Sequence, residues 1–190
     1  MSTKVILVGV GGQGTITTAR ILINGLMEKG YDVKMSEIHG MAQRGGSVST
    51  HVIWGDKVNS PVVGLGEADI LVAAEKMEAV RYAEFLKPDG IAIVNDHRTE
   101  SSTSAAGLEE YPEGTLEAME ENFTTYSVKA GEIAEELGNA KVMNVVLFGA
   151  MVNYLGLEGI DWKKVVAGVV PEKLVDLNIK AFEMGQEAAK

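Results

Sequence analysis

The feature that most constrains the fold is a glycine-rich turn between a buried strand and a helix. Residues 4–9 (KVILVG) form a continuous apolar run, which is typical of a strand buried on both faces. Residues 9–14 (GVGGQG) follow and satisfy the pattern G-x-G-x-x-G. Apolar residues then recur at spacings of three and four up to Leu26, which predicts a helix that ends at Gly30. A second strand is predicted at 31–37, so the unit implies a parallel strand pair joined by a right-handed crossover.

The whole chain, residues 1–190, is predicted to be a single α/β domain with a Rossmann-like start and three α/β/α layers. Further strands are predicted at 47–54, 68–74, 90–95 and 123–128. Only a short loop separates the second and third strands, which favours an antiparallel partner and therefore a mixed, mainly parallel sheet. Helices are predicted at 75–86, 132–137, 143–155, 161–170 and 172–189, which makes the C-terminal third helical. A turn (KPDG) is predicted at 87–90 and a polar surface excursion at 97–114.

Composition excludes several classes of function. The chain has no cysteine, which removes thiolate-held Fe–S clusters, disulfides and cysteine-type zinc sites. Seventeen basic residues face 27 acidic ones, a net charge of −10, which argues against nucleic acid or an anionic membrane as the main partner. No run of about 18 apolar residues occurs and the first residues do not resemble a signal peptide, so a cytoplasmic protein is predicted. No ligand spacing for a metal appears either, so no metal site is predicted.

The glycine turn predicts a phosphate site, for a dinucleotide or for coenzyme A. Glycines let the backbone approach a ligand closely, and the following helix offers free N–H groups and a positive dipole end. Glu37, about 20 positions further on, is placed for a ribose contact. The alternative is a turn that only packs the helix closely on the sheet. The candidate residues of the turn are Gly11, Gly12, Gln13, Gly14 and Thr15.

Residues 39–46 (HGMAQRGG) form the second candidate segment. They follow the predicted second strand at the edge where open α/β sheets place ligands. Arg44 is a candidate donor to a carboxylate or phosphate, with Gln43 beside it, and His39 is a candidate acid or base near neutral pH. No triad or metal set accompanies His39, and the alternative is a structured loop with a surface ion pair.

In their order along the chain, these segments resemble the gamma-type domain of 2-oxoacid:ferredoxin oxidoreductases. The matching stretches are 9–22 (GVGGQGTITTARIL), 36–52 (SEIHGMAQRGGSVSTHV), 60–82 and 86–95. Residues 143–156 and 170–185 look most like the beta subunit of the indolepyruvate enzyme. The resemblance covers nearly the whole chain, and only the polar region 97–125 is weakly marked.

The resemblance implies a small subunit of a thiamine-diphosphate-dependent oxidoreductase that converts indolepyruvate or another aryl 2-oxoacid to the aryl-acetyl-CoA, CO₂ and reduced ferredoxin. It places thiamine diphosphate and the [4Fe–4S] clusters on a larger partner subunit, with coenzyme A as cosubstrate of the complex and no cofactor held firmly by this chain. Ferredoxin is then reached through the complex. The isolated chain is expected to be inactive and able to form a homodimer. The family pattern marks the glycine turn, Glu37, His39, Gln43 and Arg44 as site positions without saying which ligand each contacts.

Other functions stay open on the residues alone. A stand-alone NAD(P)-binding oxidoreductase is supported by the glycine pattern and Glu37. A gamma subunit of a pyruvate or 2-oxoglutarate enzyme and a nucleotide-binding regulatory module are further alternatives. A subunit would also expose an apolar patch larger than ordinary surfaces carry.

Overall fold

The computed structural model describes residues 2–39, 45–99 and 110–189, except for the side chain of His39. Six strands form one sheet: β1 (Ser2–Val10), β2 (Asp32–His39), β3 (Ser47–Gly55), β4 (Ala68–Ala73), β5 (Leu86–Asn95) and β6 (Thr124–Val128). The described residues also form seven α-helices: α1 (Thr15–Glu28), α2 (Lys76–Tyr82), α3 (Thr115–Asn122), α4 (Ala130–Glu136), α5 (Met143–Val152), α6 (Trp162–Val169) and α7 (Val175–Ala188). Short 3₁₀ turns lie at Ala83–Phe85, Ala140–Val142 and Glu172–Leu174.

The sheet is mixed and mainly parallel, as predicted. Its strand order is β2-β3-β1-β4-β5-β6, and β1, β4, β5 and β6 pair in parallel. β3 is antiparallel to both of its neighbours, β1 and β2. The predicted direct pair of β1 and β2 is therefore wrong, although both strands run in the same direction. The short connection after β2 sends β3 back beside it, and β3 then occupies the place next to β1.

Helices cover both faces of the sheet, which confirms the three layers. On one face, α1 and α4 to α7 pack around a core that contains Leu22, Phe148 and Phe182. On the other face, α2 and α3 contribute Ala79 and Met119 to a second core. The helical C-terminal third is also confirmed, since α4 to α7 account for most of residues 130–189.

Two glycines bring α5 and α7 into backbone contact. A Cβ built on Gly149 would lie 2.1 Å from the carbonyl oxygen of Phe182, and one built on Gly185 would lie 1.9 Å from that of Val146. Only glycine fits at such separations, because any side chain would have to displace the facing backbone. The two helices are thus locked in one relative position.

The predicted turn at 87–90 does not end the preceding helix. α2 already ends at Tyr82 and the 3₁₀ turn at Phe85. Residues 87–90 instead arch out of the ladder within β5, since Ala68 pairs with Leu86 but Ile70 pairs with Ile91. Such an arch resembles a long bulge, which a Pro-Asp-Gly sequence favours because proline has no N–H to give to a neighbouring strand.

α3 had no counterpart in the sequence analysis. It is eight residues long and polar, and Met119 is its only buried large apolar residue. One such residue leaves no repeating apolar spacing to detect. No helix in the described part of the chain is both long and apolar enough to cross a membrane.

Candidate functional site

The glycine turn (residues 9–14) lies at the edge of the sheet where β1, β4 and β5 end. Its backbone is pinned by bonds from Gly11 N–H to the Gly46 carbonyl (2.8 Å) and from Gln13 N–H to the Val10 carbonyl (3.1 Å). Gly12 and Gly14 have φ of 105° and 83°, in the left-handed region that glycine tolerates best. Gly14 is the N-cap of α1 and provides no side-chain cap, so the first N–H groups of this helix have no partner within it.

The side chain of Gln13 is bonded at both ends within the protein. Its Oε1 accepts from the Val10 N–H (2.7 Å), and its Nε2 donates to Thr99 Oγ1 (3.1 Å). A Cβ on Gly9 would lie 2.8 Å from that Oε1, so glycine at position 9 leaves the room that Gln13 needs. Gln13 therefore shapes the turn, and a direct contact from it to a ligand stays a prediction.

Asn144, at the start of α5, supports the turn from the opposite side. It is 7% exposed, and its Nδ2 donates to the Gly14 carbonyl (3.2 Å). The hydroxyl of Thr18 lies 3.3 Å from the Gly14 and Asn144 carbonyl oxygens, within donating distance of each. The contact between Gly14 and Asn144 joins residues 130 positions apart, and nothing in the local sequence indicates it.

A cleft of about 450 Å³, the β2 cleft, opens between the glycine turn, the first turn of α1 and the ends of β2 and β3. It brings together five of the predicted site residues: Gly11, Gly12, Gly14, Thr15 and Glu37. Glu37 is exposed and faces Thr50 across the β2–β3 ladder. Ile16 and Ile38, which also line the cleft, are 42% and 49% exposed. Backbone donors, a carboxylate and apolar walls therefore share one space, as in sites for small organic ligands.

A second cleft, the α5 cleft, lies on the other side of the glycine turn and measures about 610 Å³. Gln13, His97, Lys141 and Asn144 are among the residues that line it. Gly12, Gly14 and Thr17 line both clefts. The turn is therefore a ridge between the two spaces, and a ligand seated on it can extend to either side.

Glu75 is a buried carboxylate that the sequence analysis missed. It lies two positions after the last residue of β4, caps α2 and is 1% exposed. Its oxygens accept from the backbone N–H groups of Glu78 (3.1 Å) and Thr99 (3.2 Å) and from the Tyr111 hydroxyl. Burial is the main cause that raises the pKa of the Tyr111 hydroxyl, and the hydrogen bond to Glu75 is the second cause. The only sequence signal was an acidic residue at the end of a buried strand.

Because Thr99 also receives the Gln13 bond, Glu75 links the glycine turn to the polar excursion. Thr99 and Tyr111 both lie within the predicted excursion at 97–114, and both donate hydrogen bonds to the Glu75 carboxylate.

His51 on β3 has a structural role. It is 1% exposed, its Nδ1 accepts from the Val63 N–H (3.1 Å), and its ring stands edge-on to Phe85. Burial lowers the pKa of this imidazole, so it is neutral near pH 7.

Three predicted site residues are left without structural detail. Gln43 and Arg44 lie outside the described residues, and of His39 only the backbone is described, as the last residue of β2. Their roles stay predictions. Within the described residues, no group of three or more His, Asp or Glu side chains is placed to hold a metal ion.

Comparison with known proteins identifies the family. The family model "Pyruvate ferredoxin/flavodoxin oxidoreductase" matches residues 4–188. The chain belongs to this family. It is 38% identical over 198 residues to the indolepyruvate oxidoreductase subunit IorB of Archaeoglobus fulgidus, covering 100% of this chain and 96% of that one. It is also 30% identical over 193 residues to the ketoisovalerate oxidoreductase subunit VorA of Methanothermobacter thermautotrophicus, covering 98% of this chain but 36% of the longer relative.

The fold agrees with this membership of the pyruvate ferredoxin/flavodoxin oxidoreductase family. The crystal structure of a keto/oxoacid ferredoxin oxidoreductase gamma subunit from Geobacter sulfurreducens superposes with a TM-score of 0.74 at 28% identity, covering 98% of both chains. The resemblance seen in the sequence and the predicted fold class are both confirmed.

Proposed function

We propose that this chain is the small subunit of an indolepyruvate, or aryl 2-oxoacid, ferredoxin oxidoreductase. The observation that carries the proposal is its 38% identity over its full length to indolepyruvate oxidoreductase subunits, here that of Archaeoglobus fulgidus. The complex converts an aryl 2-oxoacid and coenzyme A to the aryl-acetyl-CoA, CO₂ and a proton. The two electrons released reduce two ferredoxin molecules.

The redox groups of this reaction belong to a larger partner subunit. The [4Fe–4S] clusters do not fit this chain, because cysteine thiolates normally hold them and the sequence has none. Thiamine diphosphate, which stabilises the carbanion left by decarboxylation, is also assigned to the partner, since no G-D-G segment of the thiamine motif occurs here. The role of this chain is therefore to bind and orient substrate or coenzyme A and to enclose the active site of the complex.

The glycine turn is the part of the chain best suited to bind a ligand. Free N–H groups at the start of α1 and the open approach above Gly12 suit a phosphate group, such as those of coenzyme A or a nucleotide. The predicted contacts of Gln43, Arg44 and His39 to substrate or cosubstrate belong to the same proposal. The cytoplasmic location stays a prediction.

The apolar surface supports a partner. Among the described residues, the exposed large apolar side chains are Ile16, Met27, Met35, Ile38, Val62 and Leu65. Ile16 and Met27 lie on α1, and Met35 and Ile38 lie on β2. Ile16 and Ile38 also line the β2 cleft. A larger subunit that covers these elements would bury them, and in its absence a second copy of this chain would be the alternative cover.

Co-expression with the larger subunit tests the proposal. We expect the two chains to purify together with iron and thiamine diphosphate, and to reduce ferredoxin only when indolepyruvate and coenzyme A are both present. The isolated chain should be colourless and inactive. A panel with pyruvate, 2-oxoglutarate and 2-oxoisovalerate tests the related specificities, for which the identity to the ketoisovalerate subunit gives some support. Turnover of NAD(P) by the isolated chain would contradict the proposal.

A further inference from the structure

We propose that Glu75 is a positioning residue for the glycine turn, and that through Thr99 and Gln13 it holds the turn in the conformation that binds coenzyme A in the complex. The inference rests on the proposed function, which assigns ligand binding to the turn, and it adds a residue that controls this site indirectly. Glu75 is 1% exposed, so its effect on a ligand is exerted through the residues that it holds.

The glycine turn needs support from outside itself. Four of its six residues are glycine, and Gln13 is its only residue with a polar side chain. Glycine loses more conformational freedom than any other residue when its backbone is fixed. A turn that is fixed before the ligand arrives binds it more tightly, because that loss is then not part of the binding step. The contacts that fix Gln13 therefore contribute to ligand affinity.

The side-chain amide of Gln13 has its orientation set at both ends. Its Oε1 accepts from the Val10 N–H at 2.7 Å and so bonds back onto the turn. Its Nε2 is a donor and needs an acceptor, which Thr99 Oγ1 supplies at 3.1 Å. Loss of that oxygen would leave the amide held at one end only, and the turn would be held less firmly.

Glu75 fixes the acceptor that Gln13 needs. One carboxylate oxygen accepts from the Thr99 N–H at 3.2 Å, and the other accepts from the Glu78 N–H at 3.1 Å. Glu75 is also the N-cap of α2, so Thr99 is tied to the start of this helix. A continuous link, the Glu75–Thr99–Gln13 link, therefore runs from α2 to the backbone of the glycine turn.

The link lies where open α/β sheets bind their ligands. β1 and β4 are parallel neighbours, and Val8 pairs with Ala73 near the ends of both. After β1 the chain enters α1 on one face of the sheet, and after β4 it enters α2 on the other face. Ligands of such sheets lie in the crevice between two strands whose helices diverge in this way. The glycine turn follows one of these strands and Glu75 follows the other.

Steady-state kinetics of this chain in complex with the larger subunit tests the inference. Thr99→Val keeps the backbone N–H that Glu75 accepts and removes only the acceptor of Gln13, whereas Thr99→Ser keeps that acceptor. We expect Thr99→Val to raise the KM for coenzyme A about fivefold, the effect of one lost hydrogen bond. Its kcat and its KM for indolepyruvate should stay within about twofold of wild type, and Thr99→Ser should behave as wild type.

Glu75→Gln tests the carboxylate itself. The amide has one oxygen and one donor end, so Thr99 either loses its bond or keeps one to a neutral and weaker acceptor. The KM for coenzyme A should rise at least about twofold. In the Thr99→Val background Glu75→Gln should raise it no further, because the effect of Glu75 passes through Thr99.

Asp69→Asn is the matched control. Asp69 lies at the opposite end of β4 from Glu75, and its carboxylate also accepts a backbone N–H, that of Lys4 at 2.8 Å. This variant should lower Tm and leave both KM values unchanged. A KM for coenzyme A that rises as much in Asp69→Asn as in Thr99→Val would show a general loss of stability and would overturn the inference.

The inference is also overturned if Thr99→Val or Glu75→Gln leaves the KM for coenzyme A unchanged, or if their effects add. Calorimetric titration of the complex with coenzyme A should give the same ratios as Kd values and needs no turnover, and a complex that does not bind coenzyme A overturns the inference. The proposed function is judged by the wild-type complex alone. A complex that binds coenzyme A but does not reduce ferredoxin with indolepyruvate counts against the proposed function only, whereas an active complex indifferent to these variants removes the inference only.

Discussion

Replacing Gly14 by alanine tests how the glycine turn is held. Gly14 has φ of 83°, and an L-residue in this conformation costs about 1–2 kcal/mol. The new Cβ would also lie 2.7 Å from Asn144 Nδ2, so the amide must move and its hydrogen bond to the Gly14 carbonyl is lost, at about 1 kcal/mol. The sum is about 2–3 kcal/mol, which lowers Tm by about 4–12 °C in a domain of this size.

Urea unfolding of a small set of variants separates the two contributions. Gly12→Ala is the matched control, because φ is 105° there but no atom lies within 4 Å of the added Cβ, so it should lose only the backbone part. In the Asn144→Ala background the cost of Gly14→Ala should fall by about 1 kcal/mol, since the amide contact and the hydrogen bond are already gone and only the 3.1 Å contact with the Cβ of residue 144 remains. The argument would be refuted if Gly12→Ala and Gly14→Ala lost the same free energy of unfolding and if the losses of Gly14→Ala and Asn144→Ala added up in the double variant.

Three further predictions concern the interior. Glu75→Ala removes the acceptor of two backbone N–H groups and of the Tyr111 hydroxyl, so unfolding in urea should show a loss of about 3 kcal/mol or more, whereas Glu75→Gln should lose less. Burial holds the pKa of His51 below its ordinary value of 6.5, so this residue favours the folded state above pH 6.5 and loses that contribution as the pH falls through and below 6.5. The difference in free energy of unfolding between wild type and His51→Gln should therefore shrink as the pH falls through and below 6.5. A difference that stays constant with pH would contradict the lowered pKa of His51. Gly185→Ala should prevent folding or lower Tm strongly, because α7 must move away from α5, while Gly168→Ala, with open space around it, should be neutral or slightly stabilising.

The start of the fold was predictable because its signals are local. The apolar run of β1, the glycines of the turn and the apolar spacing of α1 lie within 28 residues and reinforce one another. The position of β3 was not predictable in the same way. A short connection indicates an antiparallel neighbour of β2, but which strand lies on the other side of β3 depends on contacts across the whole sheet.

The site was predicted in part for the same reason. Gly11, Gly12, Gly14, Thr15 and Glu37 line one cleft, whereas Gln13 lines the other, and the binding roles of these residues stay predictions. Thr50, Glu75 and Asn144 gave no comparable signal, because each acquires its place through residues far away in the chain. A polar residue in an apolar run stands out in the sequence, but the sequence does not identify the residue that it contacts.

The glycine contacts between α5 and α7 affect which mutations can weaken ligand binding. Asn144 is the second residue of α5, so the position of this helix against α7 decides where the amide meets the Gly14 carbonyl. A substitution deep in the C-terminal helices that shifts α5 by a fraction of an ångström would leave the sheet folded and still alter the turn. Variants selected for weak ligand affinity should therefore map partly to the last quarter of the chain, far in sequence from any residue that contacts the ligand.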